Sequence, residues 1–465
     1  MGSGGCGHPA PATICPTVHP TRTTEEALEK GRALHETVPR SSHAGWKAPA
    51  DRPDPIALLD AQNRDRVAEL VPIRWGRMLQ SPFAFLRGSA VVMASDLATT
   101  PSTGIMVQAC GDAHLANYGA FASPERALLF DVNDFDETLC GPWEWDLKRL
   151  AASAVVAGRD VGLPEDACSG AARAAVRSYR TRMAGYAEMP VLDVWYSRVD
   201  AEAASTLFQR AGREEYKQVL AQAHKHTSQR AVPHLTELTA EGGRRIVDHP
   251  PLVVHDELSE DHNRVLAVLD GYMETLTDEH RTLLSRFSLQ DVARKVVGVG
   301  SVGTRCYIAL LATSAGEALL LQLKQAMDSV LAPRWASAPV AHNGRRVVTG
   351  QRMMQAASDI FLGWTQGDGC DFYVRQLYDM KGSATVATMD APALADYLAL
   401  CAWTLARAHA RSGDAAEISG YLGTGEQFDD AVTRFAVEYA DQTRHDHAAL
   451  AEAVKSGRVV AQTDA

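Results

Sequence analysis

Gly111-Asp112-Ala113-His114-Leu115-Ala116-Asn117 is the stretch on which the reading of this chain turns. It follows an apolar, strand-like run, Ile105 to Ala109, and sets a carboxylate and a carboxamide five positions apart across a loop. Phosphoryl transfer needs that pairing. The carboxylate orients an acceptor hydroxyl and takes its proton, and the amide oxygen ligates the magnesium that neutralises phosphates. The spacing is that of the kinase catalytic loop, D-x4-N. An Asp and an Asn five apart equally suit an ordinary turn held by side-chain hydrogen bonds, so the stretch needs support from elsewhere.

Support comes sixteen residues after Asn117, where Asn133-Asp134-Phe135-Asp136-Glu137 ends a second strand-like run, Leu128 to Val132. A kinase holds magnesium with an Asp-Phe-Gly segment after its catalytic loop, and Asp134-Phe135-Asp136 has that form with Asp in place of Gly. The carboxylates of Asp131, Asp134, Asp136 and Glu137 repel one another in so short a span, and a divalent cation relieves them. Asp112 is therefore the candidate base, and Asn117, Asp134 and Asp136 are the candidate magnesium ligands.

Gly298-Val299-Gly300-Ser301-Val302-Gly303 is a full G-x-G-x-x-G. Glycines let the backbone bend over phosphates and turn its N–H groups toward them. A dinucleotide fingerprint continues into a helix, whereas Cys306 to Leu311 reads as a strand, which is the kinase order. Leu321-Gln322-Leu323-Lys324 then forms an alternating strand whose lysine suits the α- and β-phosphates of ATP; a solvent-facing strand end is the competing reading. Gly298, Gly300, Ser301, Gly303 and Lys324 are the candidate nucleotide set, with Lys324 also catalytic. No Glu stands in Val347 to Ser358 to hold this lysine, which leaves Gln351, Gln355 or Asp359.

The combined spacing, with Gly141 seven positions after Asp134 and Asp146-Leu147 five after that, resembles the aminoglycoside phosphotransferase branch of the kinase-like superfamily. The resemblance implies that Asp112 is the base, Asn117 and Asp134 ligate magnesium, Asp146 buttresses the loop, and ATP with Mg2+ is used. Cys110 replaces the His that usually precedes Gly-Asp, and the glycine loop follows these motifs instead of preceding them. The implied fold is α+β, helix-rich, two-lobed and circularly permuted. Residues 1–50 read as a mobile tail, 51–285 as C-lobe elements with the catalytic and metal loops, 286–385 as the nucleotide-binding N-lobe, and 386–465 as closing C-lobe helices.

From about Asp51 the chain also resembles the bacterial family called domain of unknown function 2252. That resemblance rests on Arg77-Met78, Ser81 to Gly88, Gly111 to His114, Asn133 to Glu137, Gly141 to Asp146, Gly298 to Gly303 and Gln351 to Trp364. It brings no established reaction.

Apolar periodicity predicts helices near Glu25 to Leu34, over Pro55 to Leu79, through much of Asp146 to Ser285 with a break at Gly242 to Pro251, and over Ala393 to Arg411 and Phe428 to Val454. Trp143, Trp145 and Met353-Met354 read as core, and His409 and Asp414 as structural. Arg87 suits a phosphate or carboxylate, or an ion pair with Asp136 or Asp146. His114 reads as a loop-stabilising hydrogen-bond partner.

A net charge of -11 offers no broad basic surface for nucleic acid or anionic lipid. No apolar run approaches the roughly 20 residues of a membrane span, and no secretory signal opens the chain, so the expected location is the cytoplasm. The eight scattered cysteines suggest reduced, mostly buried thiols. Cys6, His8, Cys15 and His19 make a weak zinc candidate in a Gly/Pro-rich segment. The expected activity is phosphoryl transfer from ATP to a small-molecule hydroxyl. AMP transfer on the same site and a pseudokinase-like nucleotide-binding module are the alternatives, and a protein partner stays open.

Overall fold

The computed structural model describes residues 15, 22–225, 227–240, 243–335, 340–377 and 379–463. Four short strands organise its centre: β1 Met106–Ala109, β2 Tyr118–Ala122, β3 Leu128–Val132 and β4 Leu139–Pro142. β2 pairs with β3 and β1 with β4, both antiparallel. Ala109 faces Leu139 and Tyr118 faces Val132 across these pairs. The loops 110–117 and 133–138 therefore leave the two ribbons side by side. Except for half-buried Met106, every residue of the four strands is buried, which accounts for their unbroken apolar runs.

A helical body surrounds the ribbons. Helices Trp143–Asp160, Glu165–Glu188, Ala391–Ser412, Ala415–Leu422 and Gln427–Lys455 share one core containing Trp143, Leu147, Tyr179, Leu398 and Phe435. Their starts are chemically marked. Asp390 accepts the Ala393 N–H at 2.9 Å and Asp414 accepts the Glu417 N–H at 3.0 Å, each satisfying an otherwise orphan donor. Helix Trp143–Asp160 is buried on all sides, so its charged residues must find partners inside.

The remaining strands are β5 Thr236–Leu238, β6 Arg244–Ile246, β7 Val253–Val254, β8 Ser288–Lys295, β9 Cys306–Ala312, β10 Ala318–Gln325, β11 Gly363–Gly367 and β12 Cys370–Gln376. β5 and β6 form a hairpin, and the others an antiparallel sheet in the order β11-β12-β10-β9-β8-β7. Helix His262–Met273 covers one face in a second core with Leu269, Tyr272, Leu321, Leu323 and Phe372. Alternation along β10 sends Gln322 and Lys324 to the other face. Helix Asn343–Met354 packs against β11, β12 and the helix Ala391–Ser412, joining the sheet to the helical body.

Four expectations are corrected. Residues 22–50 are docked and are no loose tail: helix Thr24–Ala33 packs on Ala415–Leu422 so closely that a Cβ on Gly31 would lie 2.1 Å from the Glu417 carbonyl, and His43 and Trp46 are buried. The predicted helix over Pro55 to Leu79 is two, Pro55–Asn63 and Val71–Leu79, because Pro72 starts a new first turn. The stretch from Asp146 to Ser285 holds β6 within the expected break at Gly242 to Pro251, but is interrupted outside it by β5 and β7 as well. Cys15 and Cys140 form a disulfide, against the expectation of reduced thiols. Cys6, His8 and His19 of the zinc candidate lie outside the described residues. No helix among the described residues is long and apolar enough to cross a membrane.

Candidate active site

Asp146 holds the loop that opens the site. Its carboxylate accepts the backbone N–H of Cys110 at 2.6 Å and of Gly111 at 2.9 Å, and lies 3.2 Å from His409 Nε2. Tyr179 Oη reaches the other ring nitrogen of His409 at 2.8 Å. Gly111 is required here, since its φ is +79° and a Cβ would stand 2.5 Å from the Glu137 carbonyl.

The loop then presents Asp112, whose carboxylate pairs with the Arg149 guanidinium; Arg149 also donates to the Leu86 carbonyl at 2.8 Å. Burial raises Asp112 to about 7; Arg149 pulls it down, while Glu137 and Asp134 push it further up. A carboxyl near 7 suits a base at neutral pH. Asn117 donates its side-chain N–H to the Asp112 carbonyl at 2.7 Å, which leaves its amide oxygen as an acceptor. His114 makes no side-chain hydrogen bond from Nδ1, which is buried without a partner, and its Nε2 stands 3.9 Å from Asp112. Burial and the nearby Arg149 and Arg87 push His114 far down, so its ring is neutral.

The second loop brings Asp134 and Asp136 under β10. The Lys324 ammonium pairs with Asp136 and lies 3.8 Å from Asp134 Oδ2. Tyr373 Oη donates to Asp136 at 2.8 Å, and Ser301 Oγ does so at 3.4 Å. Burial alone would raise Asp136, but Lys324 and Tyr373 hold it below the usual carboxylate range, and the two acids hold Lys324 above its own. Asp136 differs from the expected metal ligand, because both of its oxygens are engaged by protein donors. Gln351, Gln355 and Asp359 do not serve Lys324. Gln351 donates to Gln355 at 2.9 Å, Gln355 to the Val132 carbonyl at 2.7 Å, and Asp359 accepts the N–H of Phe361 and Gln376.

The glycine loop lies across the same space. A cleft of about 110 Å³, partly open to solvent, is lined by Asp112, His114, Asn117, Asp134, Asp136 and Gly298 to Ser301. Gly303 stands outside the lining and anchors the loop, its carbonyl accepting the Val67 N–H at 2.8 Å. Arg87 lines the cleft too, without the expected ion pair to Asp136 or Asp146. Among the described residues no group of three or more His, Cys, Asp or Glu side chains is arranged to hold a metal. Asn117 and Asp134 offer one amide oxygen and one carboxylate, a set that leaves further positions to phosphate oxygens and water.

The sequence profile of a family described as "Uncharacterized protein conserved in bacteria (DUF2252)" matches residues 66–453. The chain belongs to this family. No curated protein and no solved structure matches it.

The matched DUF2252 span contains both loops, the glycine loop and Lys324. It also contains residues in and behind the cleft wall that pattern reading passed over. Arg149 lies three positions after Asp146 on one helical face, a spacing that was available as a signal. Arg66 and Arg74 line the cleft from segments that read only as apolar helix, and Tyr373 on β12 holds Asp136 from behind. Burial lowers Arg66 to about 10, with Glu137 and Asp136 opposing the fall.

Proposed function

We propose that this protein is an ATP- and magnesium-dependent phosphotransferase of kinase-like, circularly permuted fold that acts on a hydroxyl of a small molecule. The observation that carries the reading is the convergence of Asp112, Asn117 and Asp134 from one part of the chain with Gly298 to Ser301 from another around one cleft, with Lys324 buried behind that lining against Asp136. The sheet with its helices corresponds to the nucleotide lobe and the helical body to the catalytic lobe, in reversed chain order.

In this reading Asn117 Oδ1 and Asp134 would hold magnesium, and the loop N–H groups with Lys324 would hold the phosphates. Magnesium, when bound, neutralises charge on the β- and γ-phosphoryl oxygens. Asp112 orients the acceptor hydroxyl and takes its proton as that oxygen bonds to the γ-phosphorus. The bond from the γ-phosphorus to the β,γ-bridging oxygen breaks, and ADP leaves. Arg149 keeps Asp112 oriented and limits how far burial raises it. Lys324, buried behind the lining, must exchange Asp136 for phosphate oxygens.

A second reading, nucleotide binding without transfer, is favoured by that same Lys324 and Asp136 pair, which occupies the lysine where a Glu partner would leave it poised. Calorimetry of Mg-ATP binding on the wild type, Asp134→Ala and Lys324→Ala, with analysis for ADP, AMP and pyrophosphate, tests both. Binding lost in both variants together with ADP formation supports phosphoryl transfer. AMP with pyrophosphate means AMP transfer, binding without product means a nucleotide module, and no binding overturns the proposal.

A further inference from the structure

Arg87 stands out among the cations of the cleft. It lies in helix Pro82–Gly88, which Ser81 caps by accepting the Ala84 N–H at 3.1 Å, and it faces the cleft beside Asp112, His114 and Asp134. Among the described residues its guanidinium has no hydrogen bond or ion pair. Its Nε is buried without a partner, and its ring neighbour Phe83 lies 6.0 Å away.

Three nearby acids are already matched, and the fourth, Asp134, is the one assigned to magnesium. Asp112 is taken by Arg149, Asp136 by Lys324, and Asp146 by the loop N–H groups and His409. Arg66 and Arg74 continue the same wall, but protein oxygens occupy them. Arg66 donates to the Val302 carbonyl at 2.5 Å, and Arg74 donates to Gln62 at 2.7 Å and to the Gly88 carbonyl at 2.8 Å. Arg87 is thus the open fork of the wall. A guanidinium partly withdrawn from water and left unpaired is costly, and its planar N–H groups suit a carboxylate or a phosphate.

Its place selects which anion. Arg87 shares the cleft wall with Asp112 and Asp134. A molecule whose hydroxyl rests on Asp112 therefore carries its neighbouring substituents toward Arg87. The nucleotide phosphates are assigned to the glycine loop and Lys324, which leaves Arg87 to the acceptor.

We infer that the acceptor is an anionic hydroxyl compound, with its hydroxyl at Asp112 and its phosphate or carboxylate group received by Arg87. This rests on the phosphotransferase reading. The full chain, saturated with magnesium and a non-hydrolysable ATP analogue, is titrated calorimetrically with glycerol, glycerate and glycerol 3-phosphate. At least one anionic probe is expected to bind about tenfold more tightly than glycerol, a preference of the size a charge-assisted bidentate contact supplies. Arg87→Gln is expected to abolish that preference and Arg87→Lys to keep part of it.

Equal affinity of the three probes for the wild type, including no detectable binding of any, overturns the inference. So does a preference that persists in Arg87→Gln. The wild-type comparison decides alone if that variant does not fold. The analogue is titrated first. If it fails to bind while an anionic probe still binds through Arg87, the phosphotransferase reading has failed and the anion site stands.

Discussion

The ammonium of Lys324 on β10 lies against Asp136 and 3.8 Å from Oδ2 of Asp134, tying the sheet to the acidic loop. Lys324 and Asp136 are both withdrawn from bulk water, their side chains 3% and 26% exposed. Removing one partner of such a pair strands the other charge. Lys324→Met is therefore expected to lower stability at neutral pH by about 3–5 kcal/mol. Lys324→Met/Asp136→Asn, which removes both charges, should recover part of that loss. Urea denaturation of the three proteins checks it, and an unchanged midpoint in Lys324→Met would mean that the pair contributes nothing.

On the proposed phosphotransferase reading, the raised Asp112 is expected to set the pH dependence. A base must be ionised, so kcat/KM is expected to climb with pH about tenfold per unit below about 7 and to level off above it. Arg149 is the neighbour that pulls this carboxyl down, so Arg149→Gln should move the rising limb to higher pH. Asp112→Asn should lower kcat by about 10²–10⁴-fold above pH 7 and flatten the rising limb. Initial rates of ADP release from pH 5 to 9 give all three results, and a wild-type limb near 4 would remove Asp112 from the role.

What the sequence disclosed followed how local the signal was. The elements β1, β3, β9, β10 and the last long helices were legible because each carries its own apolar period, and Asp112, Asn117 and Asp134 because each sits in a short motif on a loop. The partner of Lys324 was sought on the helix near Val347 to Ser358, yet it lies in the acidic loop far earlier in the chain, and no local pattern reports that closure. Arg66 and Arg74 were hidden in segments whose apolar spacing suggested only helix. His43 and Trp46 lie in a stretch rich in Gly, Pro and Ser, where burial depends on Tyr421, Phe428 and Tyr439 from the far end of the chain.

Asp146 acts on the loop through the backbone N–H groups of Cys110 and Gly111. Asp146→Ala leaves both donors and His409 without their buried acceptor, at a cost of about 1–3 kcal/mol for each unmet group. Asp146→Asn keeps one accepting oxygen and should cost less. The positioning role has its own readout: amide hydrogen exchange over residues 110–117 should accelerate in both variants relative to the rest of the chain. Uniform acceleration over the whole body would reduce Asp146 to a general core contact.

The Cys15–Cys140 disulfide closes a loop of 125 residues between the N-terminal segment and β4, whose Leu139 starts directly after the acidic loop. Closing so long a loop restricts the unfolded chain, and removal of such a bond typically costs about 2–4 kcal/mol. Cys15→Ser and Cys140→Ser are each expected to lower the thermal midpoint by a similar amount. The double variant should be no worse than either single one, because each single change already breaks the bond. Reductant should lower the wild-type midpoint to that of the variants and leave the variants unmoved. Thiol counting on the denatured wild type, before and after reduction, should differ by two. A wild type whose midpoint and thiol count ignore reductant would mean that the two sulfurs are not joined.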